Sequence, residues 1–203
     1  MLQITNVNIY GLEESILASG YPMKLDLPKS FLFNDEVFDA DMDNFKDTSH
    51  FKRAKKLGNT PSNSGHNNYF KGIIVQFDVT YPLYWTTQFQ RYNFVSIISS
   101  QSKMHRLEKM DLNKCMNKYV DDIIIEHLKE IQRKYNEDPT NENYMYLISN
   151  CPAGIELTMR VSLNYMSLLN IYNQRRNHKL EDWRLFCDWI KTLPYFIELT
   201  GIK

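Results

Sequence analysis

The chain has 203 residues, and its 24 lysines and arginines balance its 24 aspartates and glutamates. This length fits a single domain over residues 1–203, and the neutral net charge provides no overall field to attract nucleic acid or an anionic membrane. The 13 tyrosines and 11 phenylalanines, with only seven glycines and seven prolines, are typical of a packed globular protein and exclude a disordered one.

The cysteines and the N-terminal residues indicate the cellular compartment in which the protein is found. Cys115, Cys151 and Cys187 are widely separated and lack the spacing of metal ligands, so we expect reduced free thiols and no metal site. The N-terminal residues lack the basic start and the apolar run of a signal peptide. No apolar stretch is long enough to span a bilayer. We therefore expect a cytoplasmic protein that does not enter the membrane.

The first third of the chain predicts one strand and two helices. Ile4, Val7 and Ile9 are separated by polar residues, as in a strand, and Gly11 ends this pattern. A basic run before Gly58 is typical of the C-terminal end of a helix. The predicted elements are a strand over residues 2–10, a short helix ending at Leu17, an irregular lid-like segment over 21–35, a helix over 41–57 and a loop over 59–68.

The rest of the chain predicts further strands and mainly helices, which together indicate an α/β (α+β) fold. Residues 71–80 alternate apolar and polar side chains, and Pro82 suits the first turn of a helix that ends near Arg91. Residues 111–135 have the apolar spacing of an amphipathic helix. The other predicted elements are a short strand over residues 94–98 and helices over 141–149, 157–175 and 180–190.

Three groups of polar residues are candidates for a binding site. Gln88 and Arg91 are three residues apart on one predicted helix face, where an amide and a guanidinium can together hold a phosphate or a pyrimidine edge. A solvated helix surface explains the same pair. Asn164 and Arg175 are eleven residues apart on the predicted helix over 157–175. Such a polar stripe indicates either a ligand site or a contact between helices.

The third group lies between Ser96 and Arg106. It combines four serines with Gln101, Lys103, His105 and Arg106. Hydroxyl groups and cations concentrated in this way can bind a phosphate, although a polar surface loop has the same composition.

Several of these residues follow the sequence pattern of one protein family. The chain resembles the flavin-dependent thymidylate synthases, also called thymidylate-synthase-complementing proteins. That family has a GHxSPFEH segment, a strand, a proline-opened helix ending in QWxRHR, and a Ser/Glu/Arg loop. Its C-terminal block has a proline, an asparagine and then an arginine eleven residues later. The matching residues are Gly65, His66, Phe70, Pro82, Gln88 and Arg91 in the first block, and Pro152, Asn164 and Arg175 in the second. The chain is most similar to a divergent branch of short proteins found in phages and mobile elements.

The resemblance implies a fold, an activity and a set of site residues. It implies a small, mainly antiparallel sheet packed by long helices, and a homotetramer with FAD and dUMP sites between subunits. It also implies methylation of dUMP to dTMP with NADPH and methylenetetrahydrofolate, in which an arginine polarises the uracil ring and no protein nucleophile is needed. The implied residues are Arg175 for catalysis, Gln88, Arg91, Ser102, Lys103 and Arg106 for the nucleotide, and His66, Asn68, Asn93, Asn164 and Asn170 for the flavin.

The chain also departs from the family pattern. The RHR signature is Arg91-Tyr92-Asn93, the glutamate of the first segment is Lys71, and the arginine two residues after Asn164 is Met166. These changes remove charged groups that hold phosphate and flavin. An alternative is therefore a non-catalytic nucleotide-binding or host-interaction protein on the same scaffold.

Overall fold

The computed structural model describes residues 2–27, 45–61 and 64–202 of the chain, and these contain four β-strands and nine α-helices. The strands are β1 (Gln3–Tyr10), β2 (Ile74–Pro82), β3 (Ser96–Ser100) and β4 (Glu156–Asn164). The helices are α1 (Leu12–Ala18), α2 (Ser49–Gly58), α3 (Leu83–Phe89), α4 (Lys103–Arg106), α5 (Asp122–Glu137), α6 (Asn141–Asn150), α7 (Tyr165–Arg175), α8 (Glu181–Ile190) and α9 (Phe196–Thr200).

The four strands form one antiparallel sheet in the order β1-β2-β4-β3. The two central strands alternate strictly. Val75, Phe77 and Val79 of β2 are fully buried, and the apolar residues of β4 are buried in the same way. Burial of alternate side chains is what fixes the register of a strand, since a slip of one residue would expose all of them. This sheet with its helices confirms the predicted α+β class.

The chain divides into two compact units, whose segments are Met1–Val7 with Gln76–Ser162 (unit one) and Asn8–Val75 with Leu163–Lys203 (unit two). In unit one, α5 and α6 pack together around a core that contains Ile125, Leu128, Ile131 and Leu147. In unit two, α7 packs on α8 and on a 3₁₀ turn, Asn68–Gly72. The prediction of a single domain over residues 1–203 stays a prediction.

The prediction of a helix over residues 157–175 is wrong in its first half. Residues 156–164 form strand β4, and helix α7 begins only at Tyr165. The physical reason lies in the side chains, because Leu157, Met159 and Val161 recur with a period of two and are all buried. A helix would place Met159 on the face opposite to Leu157 and Val161, whereas a strand places all three on one face.

The predicted helix over 111–135 also begins later than expected, at Asp122. The Asp121 side chain caps it by accepting a 2.8 Å hydrogen bond from the backbone N–H of Ile123. Ile123 and Ile124 in the first turn of this helix are 79% and 46% exposed.

The remaining predicted elements are recovered with shifted bounds. The strands over 2–10, 71–80 and 94–98 correspond to β1, β2 and β3, and the helices over 141–149 and 180–190 correspond to α6 and α8. Pro82 ends β2 and caps α3 rather than lying inside it. Most of the lid-like segment and the start of the helix predicted over 41–57 lie outside the described residues, and α2 begins at Ser49 behind its cap Thr48.

No helix in the described part of the chain combines the length and the apolar character that a bilayer crossing requires.

Helix α5 provides a matched test of the unit-one core. Leu128 is 1% exposed, so Leu128→Ala should lower the free energy of unfolding by about 2–5 kcal/mol through lost burial and a residual cavity. Ile123→Ala, on the exposed face of the same helix, should change it by no more than about 0.5 kcal/mol. Urea denaturation of both variants measures the difference, and similar losses would contradict this packing of α5.

Candidate functional site

Unit one contains an open depression of about 460 Å³ beside the edge of the sheet. Two of the predicted nucleotide-binding residues, Ser102 and Arg106, line it. The other lining residues come from strands β2, β3 and β4, from the loop before α4 and from α4 itself; they are Asp78, Ser99, Ser100, Gln101, His105, Thr158, Met159 and Arg160. The structure therefore gathers hydroxyl groups, an imidazole and guanidinium groups around one concave surface.

The backbone after β3 holds this loop against β4. The N–H of Gln101 donates to the carbonyl of Thr158 at 2.8 Å, and the Gln101 side-chain oxygen accepts from the N–H of Thr158 at 3.1 Å. The next residue, Ser102, caps the short helix α4 without a side-chain capping bond, so its hydroxyl is available to a ligand. Arg106 is exposed, and it forms no ion pair with another described residue.

Lys103 differs from its two neighbours in the predicted phosphate loop. Its ammonium group donates to the carbonyl of Ile148 at 3.3 Å, and the residue does not line the depression. The structure thus gives Lys103 a contact within unit one. Its predicted role in nucleotide binding stays a prediction.

Sequence reasoning missed a polar cluster on the half-buried face of β2 and β4. Arg160 donates to a carboxylate oxygen of Asp78 at 3.2 Å and to the backbone carbonyl of Asn6 at 2.7 Å. The Asn6 amide donates to the other oxygen of Asp78 at 2.6 Å, and this hydrogen bond, with the Arg160 guanidinium, holds the pKa of Asp78 below its ordinary value. A period of two in residues 156–164 was the signal that could have placed Arg160 on the sheet.

The other predicted residues of unit one lie around the end of α3. Gln88 is half-buried in the last turn of this helix, and Arg91 and Asn93 follow it on the exposed surface. None of the three lines the depression that contains Ser102 and Arg106.

In unit two, Asn164 has a defined structural function. It is the last residue of β4 and the N-cap of α7, where its side-chain oxygen accepts from the Ser167 N–H at 2.8 Å and from the Ser167 hydroxyl at 3.0 Å. The NH₂ of the same amide remains as a hydrogen-bond donor. Asn170, one and a half turns further along α7, is exposed.

Arg175 lies in the last turn of α7, and its guanidinium carbon is 4.7 Å from the centre of the Trp183 ring on α8. Trp183 is fully buried, so the contact joins the two helices, as the structural alternative for Arg175 predicts. Such cation–π contacts stabilise a protein by about 0.5–1 kcal/mol at exposed positions. The contact leaves Arg175 half-buried at the end of its helix.

His66 and Asn68 are exposed at the start of the 3₁₀ turn that packs on α7. Phe70 in the same turn is fully buried. The turn thus has one buried apolar side chain, Phe70, and exposed polar side chains at its start.

The thiols are free, as the sequence predicts, and they are poor nucleophiles. Burial raises the pKa of Cys151 to about 11 and that of Cys187 to about 12. Thiols with such pKa values stay protonated at neutral pH and are unreactive.

The Asn164 cap predicts a specific effect on stability. Asn164→Ala should lower the free energy of unfolding by about 1 kcal/mol because the first turn of α7 loses its capping acceptor. Asn164→Asp should stay close to the original stability, since aspartate is an equally good N-cap. Chemical denaturation compares the three proteins, and an alanine variant as stable as the original would show that the cap contributes nothing.

Comparison with known proteins identifies the fold. No family model matches the chain, and no curated protein matches it. A crystal structure of thymidylate synthase X (ThyX) from Helicobacter pylori with FAD and dUMP matches with a TM-score of 0.70 and 13% identity, covering 98% of this chain and 97% of that one. Another structure of the flavin-dependent thymidylate synthase ThyX from Helicobacter pylori, complexed with FAD and dUMP, matches with a TM-score of 0.64 and 12% identity, covering 98% and 96%. The chain therefore has the thymidylate-synthase-complementing fold that the sequence predicts.

Proposed function

We propose that this protein is a flavin-dependent thymidylate synthase-like protein that binds dUMP or a closely related pyrimidine nucleotide. The observation that carries the proposal is the match of nearly the whole chain to ThyX structures that hold FAD and dUMP. At 13% identity the match establishes only the fold. Whether this chain binds a nucleotide therefore depends on the chemistry of its own residues.

The residues that line the depression in unit one are chemically suited to bind the phosphate of the nucleotide. Ser102 and Arg106 line it with Ser99, Ser100 and His105, and Arg106 makes no ion pair with another described residue. A guanidinium can hold two phosphate oxygens at once, and hydroxyl groups donate to the rest. The nearby Arg160 already pairs with Asp78, so Arg106 supplies the charge in this proposal.

The family resemblance assigns the uracil ring to Arg175 and the lining of the nucleotide to Gln88 and Arg91, in sites that the resemblance places between subunits. A fixed guanidinium beside a uracil carbonyl would stabilise the negative charge that develops on the ring during methylation. The contact with Trp183 restricts the Arg175 side chain to one region, which favours such a positioning function. In the active form, we expect NADPH and methylenetetrahydrofolate as further substrates and a homotetramer as the assembly.

We expect the predicted flavin residues of unit two to hold FAD through neutral hydrogen bonds. Asn164 keeps an amide NH₂ beyond its capping bonds, and Asn170, Asn68 and His66 are exposed. Amides and imidazoles supply the donors and acceptors that the polar edge of the flavin ring requires. When bound, FAD would supply the redox and carbon-transfer chemistry, and these side chains, with Asn93, would hold and orient it.

A second candidate is a non-catalytic nucleotide-binding protein on the same scaffold. The specific observation that favours it is the loss of charge at positions where the family holds flavin, at Tyr92, Asn93 and Met166, together with the reversed charge at Lys71. In this case the protein would bind the nucleotide and no FAD, and it would act through a partner.

The two candidate functions differ in whether the protein binds FAD. Both include a contact between Arg106 and the phosphate of the nucleotide. The purified protein should bind dUMP in isothermal titration calorimetry, and Arg106→Gln should weaken this binding at least about tenfold because a charged hydrogen bond to phosphate is lost. Arg133→Gln, an exposed arginine on α5 of the same unit, is the control. A flavin absorbance spectrum supports the synthase and a colourless protein that binds dUMP supports the second candidate, whereas no dUMP binding would contradict both.

The variant Arg175→Ala distinguishes a ligand-binding function of this arginine from a packing function. Arg175→Ala should reduce dUMP affinity at least about tenfold through the lost charged contact, and the lost Trp183 contact should lower the free energy of unfolding by about 0.5–1 kcal/mol. The exposed Lys179 follows α7 closely in the sequence, and Lys179→Ala controls for the change in net charge. Lower stability with unchanged affinity in Arg175→Ala would limit this arginine to joining two helices.

A further inference from the structure

Unit two contains a second depression, of about 350 Å³, whose residues have no assigned function in binding nucleotide or flavin. It lies between the end of α2, the loop before the 3₁₀ turn, one face of α7 and the residues after α9. The lining residues are Gly58, Asn59, Thr60, Asn67, Leu169, Asn173, Arg176, Thr200, Gly201 and Ile202. This volume is in the lower part of the range of small-molecule sites.

Two glycines allow the walls to approach each other. A Cβ atom at Gly58 would collide with the backbone carbonyl of Leu199, and one at Gly201 would collide with the side chain of Asn59. Asn59 then joins the walls, because its NH₂ donates to the carbonyls of Lys55 at 2.7 Å and Leu199 at 3.1 Å. These bonds leave the side-chain oxygen of Asn59 as an acceptor.

Asn67 is the most informative residue of the depression. It is only 5% exposed, yet its carboxamide makes no hydrogen bond to any other described residue. It precedes the 3₁₀ turn as the N-cap without forming a capping bond. The carboxamide lines the depression and is not sealed inside the fold, so a bound ligand can supply the hydrogen bonds that the protein does not.

The charge of the depression is also defined. Arg176 is the single ionised side chain among the lining residues that the structure describes, and no carboxylate accompanies it. Its guanidinium carbon is 5.8 Å from the centre of the Tyr172 ring, and Asn173, one turn before it on α7, adds another amide. The lining residues therefore combine three carboxamides with one guanidinium, which Arg176 shares with a neighbouring depression lined by Tyr172 and Asp188.

From this arrangement we propose that the depression binds a small ligand that carries one carboxylate and one amide group. The planar fork of Arg176 matches a carboxylate in a bidentate geometry. The free carboxamide of Asn67 can donate to the ligand's amide carbonyl and accept from its N–H, as amide pairs do. A phosphate group would carry more negative charge than the single cation balances.

The simplest probe with this chemistry is N-acetylglycine. Nuclear magnetic resonance titration should shift the side-chain signals of Asn67 and Arg176 saturably with N-acetylglycine. The shifts should be weaker with acetate, which lacks the amide, and with N-acetylglycinamide, which lacks the charge. Equal binding of all three compounds, tighter binding of inorganic phosphate, or no shift up to the solubility of the probe would overturn the proposal.

Two substitutions locate the interaction and separate it from a structural function. Arg176→Gln and Asn67→Leu should each weaken N-acetylglycine binding at least about tenfold, while Arg133→Gln in unit one leaves it unchanged. Asn67→Leu should leave the melting temperature nearly unchanged, because leucine has a similar volume and the Asn67 carboxamide makes no hydrogen bond to another described residue. A lower melting temperature with unchanged binding would show that Asn67 is structural and would overturn its assignment.

Discussion

The capped junction at Asn164 is the constraint on which the candidate sites depend. At this residue the chain changes from a strand with a period of two to a helix with a period of 3.6, and the Asn164 side chain satisfies N–H and O–H donors of the first helical turn. Strand β4 places Arg160 and Thr158 beside the depression of unit one. Helix α7 carries Asn170, Asn173 and Arg175, and Arg176 follows as its C-cap. A shift of this junction by one residue would exchange buried and exposed side chains along β4 and rotate every polar group of α7.

Several polar residues that are proposed to bind a ligand also make contacts within the protein. Arg175 contacts Trp183, Asn164 caps a helix, and Lys103 donates to a backbone carbonyl. Each of these residues is also assigned to a ligand by the family resemblance. Such shared use is physically reasonable, because a side chain that is already restricted loses less entropy when a ligand binds. It also means that a change in binding can be interpreted only together with a measurement of stability.

The sequence predicts the fold better than the candidate sites, and particular residues show why. Strand β2 was predictable because Val75, Phe77 and Val79 alternate with polar residues over one uninterrupted segment. Strand β4 has the same alternation, but no glycine or proline separates it from α7, so the sequence has no punctuation to show where the strand ends and the helix begins. The depression around Ser102 and Arg106 was partly predictable from its composition. The contribution of Asp78 and Arg160 depends on strand pairing between distant segments, which local spacing does not encode.

Strand β3 has a consequence for how the protein avoids self-association through its sheet. It is the edge strand beyond β4, with exposed side chains at all five positions, including Ile97 and Ile98. An open edge of this kind can pair with the edge of another molecule and start aggregation. The register with β4 is interrupted between Ile97 and Ser99, and such an irregularity bends and twists the strand so that a straight partner cannot pair along its whole length. The interruption thus protects an otherwise adhesive edge, and restoring a regular register there would be expected to reduce solubility.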